Sequence, residues 1–198
     1  MILTLIVVIV VIVAIVSIGR AIFFSGNQTT TTDADVDTGR AELLDTTANH
    51  AVQLTVRGPI VAEEEFKSYQ LEVTPNSREM VVYQGYLDDE ERAKKLGNNR
   101  AAYEEFVYAL DKADMMKGTM PADDADNDLR GICATGYVYE YAVLIDDKPV
   151  KHLWTSTCDG SKGTLQASTS QLNDLFLKQI PESADLVPFK SSGLRLNF

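Results

Sequence analysis

The chain opens on an unbroken apolar run and only later takes on the mixed patterns of a folded domain. Residues 2–19 read ILTLIVVIVVIVAIVSIG, with Thr4 and Ser17 as the polar side chains, and residues 21–24 extend the run past Arg20. Roughly 20 apolar residues in a helix cross a hydrocarbon core of about 30 Å. A helix in lipid can be apolar on every side because its backbone groups satisfy one another. The pattern predicts a transmembrane anchor over residues 1–24, a single-pass signal-anchor seated in the lipid bilayer through residues 2–24. A cleaved signal peptide would have a basic n-region and an apolar core of about 7–15 residues. Here only the α-amine precedes a longer core, although Ser17 and Gly19 supply a small-x-small pair.

Residues 25–47 are polar and rich in Thr and Asp, the composition of a linker with little to bury. A domain is expected over residues 48–198. Its first alternation runs over 51–56, with Val52, Leu54 and Val56 on one face, and period two is the mark of a half-buried strand. Residues 66–73 alternate through Tyr69, Leu71 and Val73. Residues 78–86 alternate with Met80, Val82 and Gln84 on one face, and Pro75-Asn76-Ser77 between the two segments is turn chemistry. Together they predict a hairpin.

Charge dominates residues 88–96 (DDEERAKKL), which predicts a short surface helix. Next, Asn98 or Asn99 is a good N-cap for an amphipathic helix carrying Tyr103, Phe106, Val107, Leu110 and Ala113 at helical spacing. Residues 118–131 read as a loop. A second hairpin follows, 137–145 with 150–157, turning at Asp146-Asp147. Ser168-Thr169-Ser170-Gln171 is a capping-box pattern ahead of Leu172, Leu175, Phe176 and Ile180, and Pro181 ends that helix. Leu194, Leu196 and Phe198 alternate as a last strand would. Strands in two groups with helices between them give an α+β class: an antiparallel sheet built from hairpins, with two or three packed helices.

The second hairpin also makes sense of the two cysteines. Placing Asp146 and Asp147 at the tip sets Ile145 opposite Lys148, Tyr141 opposite His152 and Tyr139 opposite Trp154. Carried outward, Cys158 falls opposite Thr135, two residues from Cys133. A bulge or end-twist of one or two residues closes that gap, so a Cys133–Cys158 disulfide is expected at the open end of the hairpin. Disulfides persist in oxidising compartments, which argues for an extracytoplasmic domain. Arg20 after the apolar run argues the other way, for a cytoplasm-facing domain, by the positive-inside rule. One arginine is a smaller signal than a cysteine pair in register, and long domains translocate largely regardless of charge.

In this register Tyr137, Tyr139, Tyr141 and Trp154 share one face, an aromatic stripe that could bind a glycan or peptide. The same stripe runs on into Val143 and Ile145, so a core role with hydroxyls at the rim is the simpler expectation.

Composition then removes several function classes. The chain carries 18 basic and 29 acidic side chains. An acidic surface repels phosphate backbones, so no nucleic-acid partner is expected. Two acidic runs have calcium-like spacing: Asp33, Asp35 and Asp37, and Asp124, Asp126 and Asp128. Neither has the glycine at position six or the glutamate at position twelve of an EF-hand loop; the second run remains a candidate for an irregular metal site. The cysteines and His50 and His152 do not stand at zinc-ligand spacing. No GxSxG, HExxH or phosphate-binding glycine loop occurs. No catalytic residue and no cofactor are assigned, and an enzyme is not expected.

The expectation is a membrane-anchored extracytoplasmic module that is non-catalytic, with a binding or structural task and a protein partner at the cell envelope. An N-terminal apolar helix, a β-rich domain and a C-terminal cysteine pair also loosely resemble type IV pilins. That resemblance implies a filament subunit assembled through residues 2–24. The sequence departs from it in having no Glu near the start of the apolar run and a Thr-rich segment directly after it.

Overall fold

A computed structural model describes residues 38–120 and 128–189. The apolar run, most of the linker, Asp124, Asp126 and the last apolar alternation lie outside the described residues. Among the described residues no helix is long and apolar enough to cross a membrane.

The period-two segments assemble into one six-stranded antiparallel sheet in the order β4-β3-β2-β1-β5-β6. The strands are β1 (His50–Arg57), β2 (Lys67–Val73), β3 (Ser77–Gln84), β4 (Asp89–Gly97), β5 (Val138–Ile145) and β6 (Lys148–Ser156). Among the described residues four helices accompany it: α1 (Thr38–Leu43), α2 (Arg100–Lys112), α3 (Thr169–Leu177) and α4 (Ser183–Leu186). The fold is α+β.

The alternation decides the faces. Val52, Leu54, Val56, Tyr69, Leu71, Val73, Met80, Val82, Tyr139, Tyr141, Val143 and Leu153 are buried on one side of the sheet. Against them pack Tyr103, Phe106, Val107 and Leu110 of α2 and Leu172, Phe176 and Leu177 of α3. Phe106 meets Phe176 edge-on at 5.3 Å. Both helices begin where side-chain caps supply the missing acceptor: Asn99 Oδ1 accepts from Ala102 N–H at 3.0 Å and Ser168 Oγ from Gln171 N–H at 3.3 Å. Inside the core, Tyr141 Oη donates to Asn173 Oδ1 at 2.7 Å, so the buried amide oxygen is satisfied.

Three sequence expectations are corrected. Residues 88–96 form an edge strand, not a helix. Their helix-forming charges serve β4 because pairing with β3 and the neighbouring helix ends outweighs local propensity. Arg92 and Lys94 point to the core side, where they donate to the backbone carbonyls of Asp185, Leu186 and Pro181 around α4. The Asp185 and Leu186 carbonyls are the orphan acceptors at the C-terminus of α4, where a cation is favoured. The remaining charges discourage strand addition at an open edge.

The second correction lies in the last hairpin. Ile145 pairs with Lys148 and Leu144 with Pro149, but Val143 then pairs with Lys151. Val150 is the extra residue of a bulge, beside a proline that has no N–H for the ladder. The register therefore slips by one, and one residue exchanges the faces of a strand. Tyr141 stands opposite Leu153, and Glu140 opposite Trp154. The tyrosines line the helix-covered core, whereas His152 and Trp154 occupy the outer face. Tyr137, Tyr139, Tyr141 and Trp154 do not form one surface.

Third, α1 falls inside the segment read as linker. Leu43 is buried in the main core, and Arg40 pairs with Asp111 of α2 at 2.6 Å and 2.9 Å.

Candidate functional site: an apolar and acidic end of the sheet

Two connections meet at one end of the sheet, the β1–β2 loop and the β3–β4 turn. Phe66 stacks on Tyr86 with ring centroids 4.1 Å apart. Tyr86 Oη donates to the Val61 carbonyl at 2.7 Å and accepts from the Val61 N–H at 3.1 Å. The Glu63 carboxylate accepts from the Tyr86 N–H at 3.1 Å and 3.2 Å. Gly85 lets the chain turn here: its φ is +75°, and a Cβ at that position would collide with the Glu63 carboxylate. Ile60 N–H donates to Ala134 O at 2.9 Å, tying the loop to the segment after Cys133.

So well-braced a structure nevertheless presents apolar groups to water. Leu87 is 83% exposed, Ile60 48%, Tyr86 46% and Val61 38%. Single exposed apolar residues are ordinary, but adjoining ones mark interaction surfaces. Beside them lies a shallow cleft of about 390 Å³ lined by Glu63, Glu64, Asp89, Glu90 and Glu91. Lys67 Nζ lies 2.7 Å from Glu91 Oε2, and its hydrogen bond, with the charges of Lys67 and Arg92, holds the Glu91 carboxyl below its usual range. The cleft is anionic with an apolar rim, and among the described residues no nucleophile, histidine or cysteine lines it.

A second polar group spans the outer face of three strands. Arg57 of β1 lies 2.7 Å from Glu140 of β5, whose other oxygen lies 3.1 Å from His152 Nε2 of β6. Burial raises the Glu140 pKa, but the His152 hydrogen bond and the charges of Arg57 and His152 outweigh it, leaving the carboxyl below its usual range. Trp154, next to it, is buried with its indole Nε1 unpaired among the described residues. Sequence reasoning missed this cluster because the bulge hid the fact that Glu140 and His152 share a face.

The other expected site residues fall as follows. Cys133 and Cys158 sit at disulfide distance, with Cα atoms 5.4 Å apart, and pack with Val138 and Trp154. Tyr139 and Tyr141 are buried in the main core, and Tyr137 packs against it. Asp128 lies beside Arg130, whose side-chain hydrogen bond and backbone N–H lower its pKa to about 2. Its carboxylate is thus engaged by its own loop, and Asp124 and Asp126 lie outside the described residues. Among the described residues the metal-capable convergence of donors is elsewhere, at Glu42, Asp45 and His50. The signal for the apolar patch was present in the sequence, where Tyr86-Leu87 carries apolar character past the end of β3 into a turn.

Comparison with protein-family models and with curated proteins finds no match.

Proposed function

We propose that this chain is a non-catalytic binding module, tethered to a membrane through residues 2–24 and working on the extracytoplasmic side, and that it engages a protein partner through the β1–β2 and β3–β4 end of its sheet. The apolar run supports the tether. The cysteine pair at disulfide distance supports an oxidising compartment. The observation that carries the binding role is Leu87, Ile60 and Tyr86 standing exposed beside five carboxylates. An anionic cleft with an apolar rim suits a partner segment that is basic and apolar, and an exposed leucine is a ready anchor for a partner's pocket.

The test is photo-crosslinking in the native host cell, with a photoreactive amino acid at Leu87 and, as a control, at exposed Tyr108 of α2. A discrete adduct at position 87, absent at 108 and lost when Glu64 and Glu90 are replaced by Lys, is the expected result. No adduct at 87, or equal adducts at both positions, overturns the reading. Digestion of intact cells by a membrane-impermeant protease checks the side of the membrane independently: the domain is cleaved from outside if it is extracytoplasmic and protected if it faces the cytoplasm.

A further inference from the structure

Where the chain leaves α1 and enters β1, three potential metal donors converge. Glu42 stands in the last turn of α1, Asp45 in the connection, and His50 is the first residue of β1. Their ligand atoms all lie within 4.8 Å of one another. His50 is 5% exposed, and its Nε2 lies 3.0 Å from Glu42 Oε2 and 3.8 Å from Asp45 Oδ2. Asp45 uses its other oxygen to accept from the Thr47 N–H at 2.9 Å, which turns Oδ2 to the histidine.

The far side of the ring is held by polar side chains. Nδ1 lies 2.6 Å from Thr47 Oγ1 and 3.2 Å from Asn49 Oδ1, and those two oxygens are themselves 3.0 Å apart. These contacts hold the ring in one orientation. That orientation directs Nε2 toward two carboxylates.

We propose that Glu42, Asp45 and His50 form a binding site for a divalent transition ion of the zinc class, with its remaining coordination position open to water. The donor set and the spacing both carry this. An imidazole nitrogen with two carboxylates suits zinc and its neighbours, whereas calcium and magnesium take oxygen ligands. Ligand atoms about 2.0–2.2 Å from a tetrahedral zinc lie roughly 3.3–3.5 Å apart. The His50 separations from Glu42 and Asp45, 3.0 Å and 3.8 Å, fall on either side of that value. All three separations stay within 4.8 Å, so closing the set takes movement of two partly exposed carboxylates. Arg100, whose charge acts on Asp45, bonds to Glu104 at 3.0 Å and Thr46 at 3.1 Å. The Nδ1 contacts are the outer-shell bonds that orient a metal-bound histidine.

The probe is zinc alone. The full chain, purified in mild detergent and stripped with a chelator, is dialysed against micromolar zinc chloride, and bound metal is read by atomic emission. One zinc per chain is expected, with affinity at least tenfold lower in Glu42→Gln and in Asp45→Asn and unchanged in His152→Gln. The two carboxylates are partly exposed, so both variants are expected to keep the wild-type circular dichroism spectrum. Less than about a tenth of an equivalent of zinc, or zinc retained undiminished in both carboxylate variants, overturns the proposal. In that case a proton on Nε2 holds the cluster as an ion pair.

Discussion

Reducing the Cys133–Cys158 pair leaves every side chain in place and removes one constraint, so its effect can be worked from the fold. The two residues are 25 apart in sequence. Closing a loop of that size lowers the entropy of the unfolded chain by about 12 cal/mol/K, which is about 3.5 kcal/mol at room temperature. For a domain of this size each kcal/mol moves Tm by about 2–4 °C, so reduction should lower Tm by roughly 7–14 °C. Trp154, the one tryptophan of the chain, packs in the same small cluster as both cysteines and reports on their surroundings by its fluorescence. The assay is urea unfolding of the full chain in mild detergent, oxidised and then reduced, followed at Trp154. Alanine replacement is a poorer test, because Cys133 is buried and its loss would add a cavity. A difference below about 1 kcal/mol between the two curves would refute the loop-closure reasoning. It would mean that the β5–β6 hairpin stays closed in the unfolded chain without the bond.

Three other outcomes are expected. Tyr141→Phe leaves the buried Asn173 oxygen without its donor and should cost about 1–3 kcal/mol in urea unfolding, while Tyr141→Phe with Asn173→Leu should cost less than the sum of the two single changes. Ser168→Ala removes the cap of α3 and should cost about 1 kcal/mol, with Ser168→Gly milder. Glu140 has a depressed folded pKa, so its contribution to stability is complete above the unfolded glutamate value of about 4.3 and is lost as pH falls through the folded value. Glu140→Gln should therefore flatten the loss of stability in that acid window, and an unchanged acid profile would count against the Arg57–Glu140–His152 cluster.

How much was legible in the sequence depends on whether a pattern was local. Val52, Leu54 and Val56, the spacing of Tyr103 to Leu110, and the Asn99 and Ser168 caps are set by neighbours a few residues away, and strands, helices and their boundaries followed. The cysteine pair was legible because a short turn at Asp146-Asp147 carries the chain back along itself. Residues 88–96 misled because helix propensity belongs to the segment, whereas the β3 partner and the carbonyls of residues 181–186 belong to distant parts of the chain. Pro149 was the available hint of the bulge, since a proline in a ladder withholds a donor.

By itself, then, the sequence determined the α+β class, the sides of the first hairpin and the proximity of Cys133 to Cys158. Each follows from side-chain periodicity or from chain reversal over a few residues. Only the tertiary structure decided which face holds Trp154 and His152, that the charged segment is an edge strand, that Leu87 and Ile60 stand exposed beside five carboxylates, and that Glu42 and Asp45 converge on His50. Those arrangements depend on a one-residue slip in register and on which surfaces are left uncovered once the core is packed. Periodicity along one segment carries no information about either.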